Sequence, residues 1–376
     1  MFCFTTVIFF YLILTLSSSA EVYEIWYSNG IVLMDIGTPK QVQMIMPTVV
    51  TDVLMIVDVN CGKNLNSECP EYCYDILLQD IFCRADCQEA RDFGDCRKHL
   101  HWDVPRYDPA NSTTFEQLTE PWTDHVGYET TQFGLFVRDD VLFRVSDFSS
   151  KSPLEMKSFK FVDGLLLDPR MLSTNALLGL APGQFNFVML LYEQKKITSP
   201  VISILWSSEK MLIGEYEQSE CTNWTRRKVA SPNWVLEFDS IKLNDKPSNS
   251  TVYVATFDFS APSIYIPNED FDQLIADKVI ESYESRLYKI ACNATLDLQF
   301  VINGKRFFVP SSILIIQHPM SSLCFPRLLP VSRWYLKPRL YNDEPNWILG
   351  RTFLKQFCVG YDYEAKELGI ADFVDS

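Results

Sequence analysis

Residues 347–373 read WILGRTFLKQFCVGYDYEAKELGIADF. The stretch opens on an apolar-apolar-Gly run, Ile348-Leu349-Gly350, and the chain carries a faint echo of it at Leu177-Leu178-Gly179. Asp258 precedes the later run by 92 residues (350−258), and Thr48 precedes the earlier one by 131 (179−48). The difference of 39 is close to the 36 residues of the cysteine-rich segment from Cys61 to Cys96. Two copies of one lobe, the first carrying an insertion, would produce this spacing.

Working outward, short apolar or alternating runs recur at Ile31–Ile36, 42–46, 235–243, 296–302 and 307–316. Each is bounded by Gly, Pro, Asn or Asp, the punctuation of strands and turns, so the chain reads as mainly β. Short helices are expected at 187–196, 268–280 and 351–357, the second with Asn268 as N-cap and acidic residues in its first turn.

Residues 2–16 are almost entirely apolar and Ser17-Ser18-Ser19-Ala20 offers a small-residue cleavage site, so 1–20 read as a secretory signal peptide. The apolar run falls short of the ~20 residues of a spanning helix, and no later segment is long enough for one. The remaining chain suits two lobes, 21–203 and 204–376, with an insertion at 58–105 in the first. Without Cys3 ten cysteines remain, an even number suited to an oxidising compartment. Sequons at Asn111, Asn223, Asn249 and Asn293 fit the same route. A net charge of −15 argues against nucleic acid or an anionic membrane as partner, since either would repel the chain. The 26 Phe, 17 Tyr and 8 Trp supply a large core.

Six cysteines fall in the insertion, at Cys61, Cys69, Cys73, Cys83, Cys87 and Cys96. Three disulfides stapling a surface loop are expected, in a pairing that spacing does not choose. A zinc site aided by His99 and His101 is the alternative, and secretory conditions favour disulfides over thiolate ligands. No metal and no cofactor are expected. Motifs for phosphate-binding loops, dinucleotides, serine hydrolases and zinc peptidases are missing from the sequence.

The closing stretch 347–373 resembles the end of pepsin-like aspartic proteases. IGTPKQ (36–41), YDPANSTTF (107–115), NALLGLAPG (175–183), WVLEFDSIKL (234–243) and LDLQFVINGKRFFVPSSILI (296–315) resemble the same family in the same order. The resemblance spans about residues 25–374. It implies an all-β, bilobal pepsin-like fold with a few short helices and a cleft between lobes, each lobe giving one Asp from an Asp-Thr/Ser-Gly turn. It also implies disulfides Cys292–Cys324 and, as in nematode-type members, Cys221–Cys358. Tyr128, in GYETTQFG (127–134), matches the family's flap tyrosine, and an ordinary hairpin tyrosine is the other reading.

Asp258, in TFDFSAPSIYIP (256–267), matches the second aspartate of the family, whereas Thr48 stands where the first is required. Two carboxylates held a few Å apart share one proton, so that one is a base toward water and the other an acid toward the scissile carbonyl. A threonine hydroxyl fills neither role. The turns are altered too, to Thr48-Val49-Val50 and Asp258-Phe259-Ser260, losing both glycines and both locking hydroxyls. Asp52 would supply a carboxylate only by a four-residue shift that leaves no Gly after it. The basic activation segment of the family is also not evident, with no Lys or Arg between Glu21 and Pro39.

The sequence thus predicts a secreted, monomeric, non-cleaving relative that holds an extended peptide or protein segment in its cleft. An acidic, lysosome-like vesicle is the alternative location. The alternative functions are a residual aspartic endopeptidase working through Asp258, and a structural protein whose cleft is filled by Val49, Val50 and Phe259.

Overall fold

A computed structural model describes residues 22–57 except 29 and 50, then 59, 106–126, 130–144, 153–166, 176–229, 234–284 except 251 and 260, 287–333 except 320, and 346–374. The expected signal peptide, the cysteine-rich insertion apart from residue 59 and with all six of its cysteines, and Tyr128 lie outside the described residues.

Two units of one design organise the strands. In the first, Gln41–Thr48 runs parallel to Ala176–Gly179, Leu54–Val57 pairs antiparallel with that strand, and Leu154–Leu166 lies parallel to Leu54–Val57. In the second, Val254–Phe257 runs parallel to Trp347–Leu349, Ile264–Ile266 pairs antiparallel with that strand, and Leu328–Pro330 lies parallel to Ile264–Ile266. The central strands are buried residue by residue, which is why they read as unbroken apolar runs rather than as an alternation. The echo between residues 177–179 and 348–350 is therefore the echo of one structural position.

Six antiparallel strands at one end of a 13-stranded sheet join the units, in the order Cys221–Lys228, Glu367–Phe373, Phe357–Asp362, Val201–Leu205, Lys210–Ile213, Tyr23–Ser28, and the last of these pairs onward with Ile31–Ile36 of the first unit. Above it one hydrophobic cluster includes Ile25, Phe143 and Phe187 with Trp234, Phe257, Trp347 and Tyr361, all buried. Each such side chain contributes roughly 1.5–3 kcal/mol through burial. Both disulfides implied by the resemblance are present, Cys221–Cys358 and Cys292–Cys324.

Local departures from the sequence expectations have simple causes. The run 235–243 is two strands, Val235–Glu237 and Ser240–Leu243, because the chain changes partner between them: Phe238 N–H donates to Tyr253 O and Asp239 N–H to Val301 O. The run 307–316 breaks at Pro310, which opens the short helix Ser311–Leu314 between Lys305–Val309 and Ile315–Gln317. The three expected helices form but are shorter, at Phe187–Glu193, Asn268–Ala276 and Arg351–Leu354. Asn268 is the first helical residue rather than the cap; Pro267 precedes it and no side chain caps that end. Asn186 takes the capping role in the first helix, its carbonyl oxygen accepting from Val188 N and Met189 N.

Among the described residues no helix is long and apolar enough to cross a membrane. The four sequon asparagines are all exposed, and the Asn111 amide donates to Asp108 Oδ2 at 2.7 Å.

Candidate active site

Thr48 ends the strand Gln41–Thr48, fully buried, with Gly179 as its register partner. Its carbonyl accepts the Leu180 N–H at 2.7 Å. The turn that follows is closed by two more backbone bonds, from Gly179 N–H to Val53 O and from Ala181 N–H to Thr51 O, each 2.9 Å. A side chain at residue 179 is impossible without moving this turn, because its Cβ would lie 2.5 Å from Val53 N and O.

The second unit repeats the construction around Asp258. Phe257 pairs with Leu349, so Asp258 and Gly350 follow as the next residues of the two strands, as Thr48 and Gly179 do in the first unit. Asp258 N–H donates to Leu349 O at 3.3 Å, Ala261 N–H to Asp258 O at 3.2 Å, and Arg351 N–H to Ala261 O at 2.7 Å. A Cβ at Gly350 would lie 2.2 Å from Ser263 O and 2.3 Å from Ala261 O. Asp258 is buried, like Thr48. Strand register thus makes Thr48 and Asp258 equivalent positions of the two units, one a hydroxyl and the other a carboxylate.

The residues after them turn inward. Val49 and Phe259 are both buried within the main hydrophobic cluster, and the Phe259 ring meets Tyr361 edge-on at 6.0 Å. Neither stands as a plug above the turns. Val50 and Ser260 lie outside the described residues. Asp52 falls four residues past Thr48, at the position equivalent to Pro262. Its Oδ2 accepts from Phe185 N–H at 3.3 Å, which turns that carboxylate toward the loop 183–185 of its own unit.

Beneath both turns lies an aromatic floor that sequence reasoning missed. Trp234 packs edge-on against Tyr361 and Tyr363, with ring centroids 5.0 Å away in each case. The Leu180 carbonyl accepts both Trp234 Nε1–H (2.6 Å) and Tyr363 O–H (2.9 Å), while Tyr361 O–H donates to Phe257 O at 3.2 Å. Leu180 thus receives the second unit at its carbonyl and grips Thr48 through its N–H. Phe257, next to Asp258, is held from the same floor. A continuous chain of contacts therefore ties the two turns together. Burial pushes the Tyr363 phenol far above its usual range, so it stays a neutral donor at any physiological pH. The available signal was the Tyr-x-Tyr spacing at 361 and 363, the second tyrosine following directly on the strand Phe357–Asp362.

Asn186 extends the network on the first side: its amide N–H donates to Ala181 O at 3.0 Å while its oxygen caps the helix Phe187–Glu193. The scaffold that positions two opposed groups is complete in both units. What the two groups can do chemically is unequal. A buried carboxylate can accept a proton from water, whereas a threonine hydroxyl does not ionise near the pH at which carboxylates titrate. No three His, Cys, Asp or Glu side chains among the described residues form a metal-binding group.

A family model described as eukaryotic aspartyl protease matches residues 31–373. The chain is 23% identical to pepsin A of Bos taurus over 321 residues, covering 79% of this chain and 77% of that protein. It is 20% identical to aspartic protease 2 of Necator americanus, over 89% of this chain and 81% of that one. A probable aspartic-type endopeptidase CTSD of Arthroderma otae matches at 22% identity, over 49% of this chain and 50% of its own length. The chain therefore spans only about half the length of that relative.

Proposed function

The chain belongs to the eukaryotic aspartyl protease family, and from that premise we propose that it does not cleave peptides but holds an extended peptide or protein segment in the cleft between its lobes. The observation that carries this reading is the equivalence of Thr48 and Asp258 in strand register. Hydrolysis by a carboxylate pair needs one member ionised and one protonated, and only one carboxylate stands at these two positions. Loss of a positioned acid or base forfeits ~10²–10⁴ in rate, and members of a cooperative pair lose more because they act as a unit.

Retention of the scaffold favours a binding role over a filled cleft. Gly179, Gly350 and the bonds from Trp234 and Tyr363 to Leu180 keep both turns in place. Val49 and Phe259, which would have filled a vestigial site, are packed in the core. Secretion as a glycosylated monomer is part of the same proposal, with an acidic vesicle as the other destination.

The test is cleavage of a denatured protein substrate by the mature chain across pH 3–7, with and without pepstatin, beside Thr48→Asp and Asp258→Asn. The expected result is no turnover by the wild type, with capture of extended peptides from a random library. Pepstatin-sensitive cleavage that Asp258→Asn abolishes would overturn the reading and make the protein a working endopeptidase.

A further inference from the structure

The second unit carries a groove of two chambers, with a sequon on the wall of each. The first chamber has a volume of about 510 Å³ and is lined by Leu243, Lys246, Asn249, Gln273, Leu274 and Asp277 among others. The second, of about 570 Å³, includes Ile290 together with Ala294 and Thr295, which belong to the sequon at Asn293. Asn244 and Val279 line both, so the chambers meet there. The two sequon asparagines are 44 positions apart (293−249), and the fold brings their segments to one groove.

Asn249 is presented in a fixed direction. Its backbone N–H donates to Asp270 Oδ1 at 2.6 Å, and the Ser248 hydroxyl donates to Asp270 Oδ2. Asn346 holds the other side of the loop, its amide donating to Ser250 Oγ and to Val252 O. Ser248, Ser250 and Asp270 are buried while Asn249 is exposed, so the loop turns the sequon side chain outward onto the groove that it lines. The lining sets an apolar floor beside a polar edge. Leu243 and Leu274 are buried, whereas Lys246 Nζ bonds Asp277 Oδ2 at 2.9 Å and Gln273 Nε2 donates to Asp277 Oδ1 at 2.8 Å. A pyranose ring has the same division, an apolar C–H face bordered by hydroxyl and acetamido groups, and charged and amide side chains supply it with donors and acceptors.

We propose that an oligosaccharide linked to Asn249 folds back into this groove, its innermost N-acetylhexosamine rings in the chamber of Leu274 and Gln273 and its continuation passing Val279 toward Thr295. Such seating rests on the secreted, glycosylated reading given above and is separate from events at Thr48 and Asp258. A sugar held by the native fold and not by the unfolded chain adds stability.

Secretion of the full chain from insect cells, glycopeptide mass spectrometry and timed release of glycans from the native protein by a peptide N-glycosidase test it. Asn249 should be occupied, and release there should be at least tenfold slower in the wild type than in Gln273→Trp, which fills the chamber from an exposed helical position. Release at every other occupied sequon should be equal in the two proteins. Asn249→Gln, which needs no change to the groove, should lower the thermal midpoint by about 2–4 °C, and Asn111→Gln should leave it unmoved. Equal release at Asn249 in the two proteins, no shift with Asn249→Gln, or an empty Asn249 beside filled sequons elsewhere overturns the groove alone. Absence of glycan from all four sequons overturns the secretory reading together with it.

Discussion

Gly350→Ala is expected to leave no folded protein. Its Cβ would stand 2.2 Å from Ser263 O, 2.3 Å from Ala261 O and 2.8 Å from Ala261 C. All three are backbone atoms of the turn that carries Asp258, so no side-chain rotation relieves the overlap. Relief requires about 1 Å of displacement between two buried, paired strands in an interior packed like an organic crystal. Substitutions of this kind fall in the severe class, above ~4 kcal/mol, against a total stability of ~5–15 kcal/mol for a typical domain. Gly304→Ala is the control. Gly304 has a φ of +76° but nothing within 4 Å of a built Cβ, so only the left-handed backbone is penalised, by roughly 1–2 kcal/mol. Secreted yield and thermal midpoint of the two variants decide the matter; a Gly350→Ala protein melting within a few degrees of wild type would show that the turn is not rigid.

The second large effect is expected on removing the Cys221–Cys358 disulfide as a double alanine variant. The bridge joins residues 137 apart in sequence, whereas Cys292–Cys324 joins residues 32 apart. Loop-closure entropy sets limits of roughly 5 and roughly 4 kcal/mol for the two, and native bridges typically contribute 2–4. Position adds to the difference. Cys221 and Cys358 sit on Cys221–Lys228 and Phe357–Asp362, the two neighbours of Glu367–Phe373 in the sheet shared by both units. Urea unfolding should show the Cys221/Cys358 variant losing about 3–5 kcal/mol and more than the Cys292/Cys324 variant. The reverse order would mean that the shared sheet holds without its bridge.

The fold was legible in the sequence where short-range pattern and long-range constraint agree. The strand Ile31–Ile36 and the glycine echo could be read because alternation and burial act along one segment. Bounds failed where a partner switch decides them, as at Phe238 and Asp239, since no local propensity encodes which strand receives an N–H. Of the candidate site, Thr48 and Asp258 were read from the family resemblance of the segments around them, and the two glycine runs echoed that reading. The floor of Trp234, Tyr361 and Tyr363 was not, because residues more than 100 positions distant in sequence (361−234=127) converge there only in the folded chain. Tyr128 and the six loop cysteines remain expectations from the sequence.

The six strands that join the units bear on synthesis at the ribosome. Their order interleaves residues near both ends of the described chain: Tyr23–Ser28 pairs with Lys210–Ile213, and Glu367–Phe373 is inserted between Cys221–Lys228 and Phe357–Asp362. A nascent chain released up to residue 350 has the first unit complete, but the sheet beneath it still lacks two adjacent strands. Val201–Leu205 and Cys221–Lys228 then present open edges, a state prone to pairing with other chains. Docking of residues 357–373 is therefore the step that ends exposure. Nascent chains stalled before and after residue 373 should differ sharply in protease resistance, with protection of the whole body arriving in one late step rather than lobe by lobe.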